Sequence, residues 1–574
     1  MKQLTPFLSV ADQLSVQDVG AAAAAGFATV INNRPDQEAE DQPSSAEIEA
    51  AARNVGLDYH HLPVISGKVT DEDVEEFAKL MARVQGPVLA FCRTGTRSTT
   101  LWALAEAWHL KPDAIIRTAQ AAGYDLSGLK DRLSARAHEG VAPLKEAASR
   151  SYDVLIVGGG AGGISAAAGL LNRRPGLSVA LIEPRDTHYY QPGWTLVGGG
   201  VFDRRQTERP MAQVMPKGVT WIRAAAADFA PERNEVVLED GERVGYRTLI
   251  AAPGLTLDWR KVDGLKDTLG KNGVTSNYLF DLAPYTWELI TSLRGGRALF
   301  TQPPMPIKCA GAPQKAMYLA CDHWRRRGRL KEIEVSFHNA GGVLFGVEAY
   351  VPALMRYVKR YAIDLNFKEN LVAVEGPARK AVFATEQGQI TREFDMLHVC
   401  PPQCAPDLIR RSPLANEAGW IEVDHQTLQH SRYGNIFGLG DACSAPNAKT
   451  AAAVRKQAPT VAENVLAVLD GKQPRAVYSG YGSCPLTVER GKIVLAEFGY
   501  GGKLEPTFPS WMVDGTQPSA IAWFLKEKML PAIYFDLMLK GREWLAQPMR
   551  LPHQPTPHQA QEACATEPPK QAAE

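Results

Sequence analysis

The stretch Tyr152 to Leu171, YDVLIVGGGAGGISAAAGLL, constrains the fold of this chain more than any other. An apolar run suited to a buried strand meets a glycine turn and then a helix of small residues. Gly158, Gly160 and Gly163 form G-x-G-x-x-G. The first glycine permits a tight turn, the second lets a pyrophosphate reach the backbone, and the third lets helix pack on strand. Ala161 and Gly162 lie between them, where N–H groups at a helix start face phosphate. The next strand, SVALIE, ends at Glu183, twenty residues past Gly163, where an acid binds ribose hydroxyls. A lone fingerprint is weak. Strand, turn, helix and acid together specify a dinucleotide cradle in a parallel α/β sheet.

At 574 residues the chain exceeds what one hydrophobic core fills, so two to four domains are expected. Lys plus Arg and Asp plus Glu number 63 each, so charge gives no support to a nucleic-acid partner. Eight cysteines are too sparse for a secreted disulfide framework. Met1 to Gly20 holds no apolar signal segment, and no run is long enough to span a bilayer. The expected location is the cytoplasm or the inner face of the cell membrane. Residues 1–135 read as a compact α/β unit, with short apolar strands in FATVINN and PVLAFC and a helix capped by Ser44 or Ser45. Residues 136–150 read as a linker. Residues 151–552 alternate strand and helix patterns, the mark of doubly wound sheets. Residues 553–574, rich in Pro, Gln, Ala and Glu, are expected to be disordered.

YGNIFGLGDAC, an apolar strand ending at Gly440-Asp441, resembles the second FAD motif of the flavin disulfide reductase superfamily. That resemblance implies FAD, with Asp441 on the ribityl chain. The following KTAAAVRKQA opens a helix whose dipole would favour an anionic reduced ring. Lys449 either adds charge there or caps the helix in solvent; the sequence leaves both open. A second glycine fingerprint, needed for a nicotinamide nucleotide, is missing. The corresponding strand, RALFTQPP, runs into prolines and then MPIKCAGAPQKA. Another redox partner is therefore expected. Ser519 to Met549 is rich in Trp, Phe, Leu, Met, Lys and Arg and interrupted by Pro531. It fits helices lying in a membrane interface beside a quinone, with Lys and Arg at the headgroups. Helices packed on the protein's own core are the other reading.

By residue chemistry alone, Cys309 and Cys484 read as small buried hydrophobes, with Lys308 slightly favouring a thiolate at Cys309. Cys400 and Cys404 have the wrong spacing for a thioredoxin or zinc motif, and no metal site is expected. Taken with KCAGAPQKAMYL, MLHVCPP, AGWIEVD, TLQHSRYGNIFGLGD, YGSCPL, LAEFGY and HYYQPGWTLVGGG, however, residues 151 to about 550 resemble sulfide:quinone oxidoreductases of the mitochondrial-type subgroup. The resemblance implies that Cys309 and Cys484 form a sulfur-bridged redox pair. Hydrosulfide would leave a persulfide on Cys484, and Cys309 would pass two electrons to the flavin. Quinone would reoxidise the flavin, and a low-molecular-weight thiol or sulfite would remove the sulfur. Gln191 matches a flavin-contacting residue, and Ala226 joins the expected cofactor-binding set. Membrane association would be peripheral; an oligomer is possible.

In VLAFCRTGTRSTTLWALA a cysteine ends a strand, and a glycine-containing loop leads through Arg97 into a helix. Such a loop aims N–H groups at an anion, and Arg97 and the helix start favour a Cys92 thiolate. Ser98 is placed to donate to Cys92. Four residues separate Cys92 from Arg97, as in rhodanese loops, against five in cysteine phosphatases. With LSVADQL and GFATVINNRPDQE, the unit resembles a bacterial phosphatase-like domain family with this shorter loop. Asp36 and Asp71 are candidates for a general acid, with surface roles the simpler reading. Sulfur transfer by Cys92 is favoured over ester hydrolysis. The alternative for the whole chain is an NAD(P)H-dependent flavin disulfide or persulfide reductase carrying a cysteine phosphatase.

Overall fold

The computed structural model describes residues 1–551 apart from 6, 85, 108–111, 140–147 and 149. Most of the expected linker and the whole of the expected tail fall outside the described residues. Residues 136–139 belong to the end of the helix Lys130–Glu139. The chain divides into two compact units. One holds Met1–Arg150 with Ala226–Gly245 and Arg410–Pro413; the other holds Ser151–Ala225, Tyr246–Ile409 and the chain from Leu414 on.

In the first unit a five-stranded sheet runs Lys2–Gln3, Leu8–Ala11, Val88–Phe91, Thr29–Asn32, Asp58–His61. Only the first pairing is antiparallel. Central strands buried on both faces favour continuous apolar runs, and Val88–Phe91 is fully buried along its length. Ser44 caps the helix Ser45–Asn54 in a capping box with Glu47.

The second unit is built on two sheets whose core strands run parallel. In the first, Val219–Ile222, Val179–Ile182, Arg150–Val157, Arg243–Ala251 and Ile436–Gly438 lie in that order. The helices Ala161–Arg173 and Ala451–Leu469 pack on each other beside it. The second sheet runs Val274–Thr275, Met396–His398, Gly296–Gln302, Ile333–Asn339, Asp364–Phe367. The helix Ala312–Arg326 packs between this sheet and the hairpin Gly482–Glu489/Lys492–Phe498, burying Trp324 and Tyr318.

The segment Ala520–Lys540 is helical with π turns at Leu525–Met529 and Ile533–Leu537. Pro531 lacks an N–H and crowds the preceding turn, so irregular turns around it relieve the conflict. Among the described residues no helix is long and apolar enough to cross a membrane.

Candidate active site

The glycine fingerprint forms the expected turn. Gly158 has φ +107°, and a Cβ there would lie 2.3 Å from the carbonyl oxygen of Ala252, so no other residue fits. A Cβ at Gly160 would meet no protein atom within 4 Å, which leaves open space where a pyrophosphate must approach. Ala161, Gly162 and Gly163 form the first turn of the helix Ala161–Arg173. Glu183 follows the strand Val179–Ile182 and accepts from the N–H groups of Gly159, at 2.8 Å, and Arg185, at 3.0 Å. Ala226 opens the strand Ala226–Ala230. Asp441 follows the strand Ile436–Gly438, near the start of the helix Ala451–Leu469. Burial pushes its carboxyl up, while Lys449 and Lys308 act in the opposite sense. An open turn over a helix start, an acid at the ribose position and an acid beside a second helix start fit FAD.

Lys449 is buried, not a solvated cap. Its Nζ donates to the carbonyls of Asp441 and Cys443, at 2.6 and 3.1 Å, and lies 4.0 Å from the centre of the Trp420 ring. It holds the loop that presents Asp441. The helix itself is capped by Thr450.

Cys309 and Cys484 are 175 residues apart in sequence, yet their Sγ atoms lie 3.8 Å apart. Cys309 stands in the turn before the helix Ala312–Arg326, and Cys484 near the start of the strand Gly482–Glu489. Gly311 allows the approach: a Cβ there would lie 2.1 Å from Cδ2 of the buried Leu486. Lys315 Nζ donates to Cys309 Sγ at 3.2 Å. The hydrogen bond with Cys484 and then the Lys315 ammonium hold the Cys309 thiol well below its usual range, against the effect of burial. The Cys309 interaction and burial push Cys484 up. The two shifts run in opposite directions, so Cys309 is the more acidic thiol of the pair.

The thiolate-favouring lysine is therefore Lys315 rather than Lys308. Lys308 Nζ instead donates to Gln191 Oε1 at 2.7 Å. Gln191, expected at the flavin, is thus exposed and tied to Lys308. The sequence reading also missed Lys526. It lies in the segment whose lysines are expected at the headgroups, but it is buried, and its Nζ donates to the Pro485 carbonyl at 3.3 Å, next to Cys484. A lone Lys within the small, apolar run of Ala312–Ala320 was the available signal for Lys315; nothing local marked Lys526.

In the first unit Cys92 is buried at the end of the strand Val88–Phe91, and Gly95, at φ +80°, begins the helix Thr96–Glu106. The Ser98 hydroxyl, expected to donate to Cys92, donates to Asn33 Oδ1 at 2.8 Å. Arg97 donates to Glu38 Oε2 and to the Val64 carbonyl, each at 2.7 Å, and Arg34 Nε reaches the same Glu38 oxygen at 2.8 Å. Arg97 holds the Glu38 carboxyl below the usual range, so it is ionised and no proton donor. Asp36 accepts from Ser45, and Asp71 pairs with Arg132 on the surface. Among the described residues no cluster could hold a metal ion.

A flavin cradle on one parallel sheet, with a thiol pair where the second sheet would otherwise carry a nucleotide turn, defines an oxidoreductase of the flavin disulfide reductase class. Residues 152–283 match the pyridine nucleotide-disulphide oxidoreductase family, and residues 1–109 match the phosphatase-like domain of beta-lactamase hydrolase-like proteins. The chain belongs to the sulfide:quinone oxidoreductase family. The mitochondrial sulfide:quinone oxidoreductase of Dictyostelium discoideum is 43% identical over 392 residues, 68% of this chain and 86% of that protein. That of Mus musculus is 38% identical over 397 residues, 69% and 88% of the two chains. The X-ray structure of the sulfide:quinone oxidoreductase from Aquifex aeolicus shares the fold, with a TM-score of 0.56 at 19% identity over 69% of this chain and 92% of that one.

Proposed function

We propose that this chain oxidises hydrogen sulfide at Cys309 and Cys484 and passes the electrons through FAD to quinone. The observation that carries the reading is the meeting of these two thiols, with Lys315 on Cys309. Hydrosulfide attacks the oxidised pair at Cys484. The new sulfur–sulfur bond leaves a persulfide there, and the broken bond frees Cys309 as a thiolate, which Lys315 and Lys526 stabilise. Bound FAD supplies the two-electron acceptor between that thiolate and quinone. A low-molecular-weight thiol or sulfite then takes the outer sulfur from Cys484. The glycine turn of Gly158–Gly163, Glu183 and Asp441 hold the cofactor, with Gln191 and Lys449 in supporting places.

Ile521 and Phe524, each 57% exposed, and the exposed Met529, Trp544 and Leu545 give the C-terminal segment an apolar outer face. Peripheral binding at the inner face of the cell membrane would cover it and bring quinone to the enzyme.

Residues 1–135 act as a sulfurtransferase through Cys92 and Arg97, and residues 151–552 as the sulfide oxidase. The short loop supports transfer, as does an ionised Glu38 with Asp36 and Asp71 engaged elsewhere. Ester hydrolysis needs an acid for its leaving group, whereas sulfite or a thiolate leaves without one. Anaerobic titration with sulfide, with and without a quinone analogue, tests the main reading. Sulfide should bleach the flavin and quinone restore it. Bleaching by NADH but not by sulfide would reject the assignment.

A further inference from the structure

The segment Ala520–Lys540 carries two different faces. Ile521, Phe524 and Met529 point outward with Lys528 among them. Ala522 and Lys526, one turn apart, are buried, and Lys526 is only 5% exposed. Lys526 reaches the carbonyl of the residue after Cys484. Farther along, the Tyr534 hydroxyl lies 2.8 Å from His188 Nε2, and His188 Nδ1 lies 3.2 Å from the Gly159 carbonyl in the glycine turn. One short length of chain therefore joins an apolar outer surface to both the thiol pair and the cofactor turn. Its π turns are of a kind that recurs at functional sites.

The seat of Lys526 gives it the Pro485 carbonyl but opposes its charge. The groups facing the thiols are Lys315 from the helix Ala312–Arg326, Lys526 itself, Tyr278, Cys400 and Asp441 from the surrounding loops, and Tyr350 toward Cys484. Burial and the nearby Lys315 both oppose charge on Lys526; the sulfurs of Cys309 and Cys484 favour it. Meanwhile the apolar outer face of the same turns stands in water. We infer that seating Ile521, Phe524 and Met529 in a bilayer is what holds Lys526 against the thiol pair, so that membrane engagement sets the reactivity of Cys309. The segment is thus a positioning element for the redox pair, and the inference rests on the membrane reading above.

The test uses the full-length protein, reduced with dithiothreitol and freed of it without oxygen. Cys309 alkylation by iodoacetamide is followed by mass spectrometry across pH, with and without phosphatidylcholine vesicles lacking quinone. Reagent access scales the plateau of such a profile, whereas its midpoint reports the thiol. Vesicles should lower the midpoint by about one pH unit, a tenfold rise in thiolate on the acid limb. Lys526→Met should still sediment with vesicles but show one midpoint in both conditions, and Lys526→Arg should restore the shift. Ile521→Asp/Phe524→Asp should stay in the supernatant at the vesicle-free midpoint. Wild-type protein that sediments with vesicles at an unchanged midpoint would overturn the coupling and leave membrane binding standing. Wild-type protein that fails to sediment would overturn the membrane reading itself.

Discussion

Cys309 sits in the left-handed region at φ +83°, where a side chain crowds its own backbone. Such a conformation persists only when its surroundings hold it, and here the turn sets the sulfur between Cys484 and Lys315. Cys309→Ser or Cys484→Ser should abolish sulfide-driven quinone reduction while FAD stays bound, as flavin absorbance and a quinone assay would show. Lys315→Met should raise the Cys309 thiol. A thiolate held low is active above its pKa and is lost as pH falls through it. The acid limb of flavin reduction in single turnover, which follows the opening of the pair, should therefore move to higher pH, with about a tenfold loss on that limb for each unit moved. The sequence carried the cysteines through family resemblance and the glycines through spacing. It did not carry Lys315 and Lys526, because a buried lysine is legible only from what it faces.

At the scale of elements, the strands Val88–Phe91 and Val179–Ile182 were readable because a strand buried on both faces tends to an unbroken apolar run, while the equally buried Thr29–Asn32 is apolar only at Val30 and Ile31. The Ser44 cap was readable because its acceptor and Glu47 are local. The π turns of Leu525–Met529 and Ile533–Leu537 were not, since they arise from tertiary packing around Pro531. The meeting of the helix Ala312–Arg326 with the hairpin at Cys484 depends on the missing Cβ of Gly311. Gly311→Ala would press into the buried Leu486, at an overpacking cost of about 1–3 kcal/mol. It should slow sulfide oxidation, measured as flavin reduction in single turnover, with little change in FAD content.

For the whole molecule, two buried histidines set an acid limit. Burial lowers His188 and His398 from 6.5 to about 4. Both are neutral when folded, so the stability they protect is complete above about pH 6.5 and is lost as pH falls towards 4, roughly 3 kcal/mol for each. Denaturant unfolding at pH 7 and pH 4.5 should show the loss, and His398→Asn should flatten the slope. Cys92→Ser should spare sulfide-driven quinone reduction and remove thiosulfate- or persulfide-dependent sulfur transfer, which separate assays of the two activities would reveal. By itself the sequence determined the dinucleotide cradle, the α/β class and the lack of a second nucleotide turn, because each is written in short-range patterns of glycine, apolar and acidic residues. Only the tertiary structure decided that thiols 175 residues apart touch, that Lys315 and not Lys308 serves Cys309, and that Arg97 lies on Glu38. Those are contacts between distant segments, and their energies depend on burial and charge that no local pattern encodes.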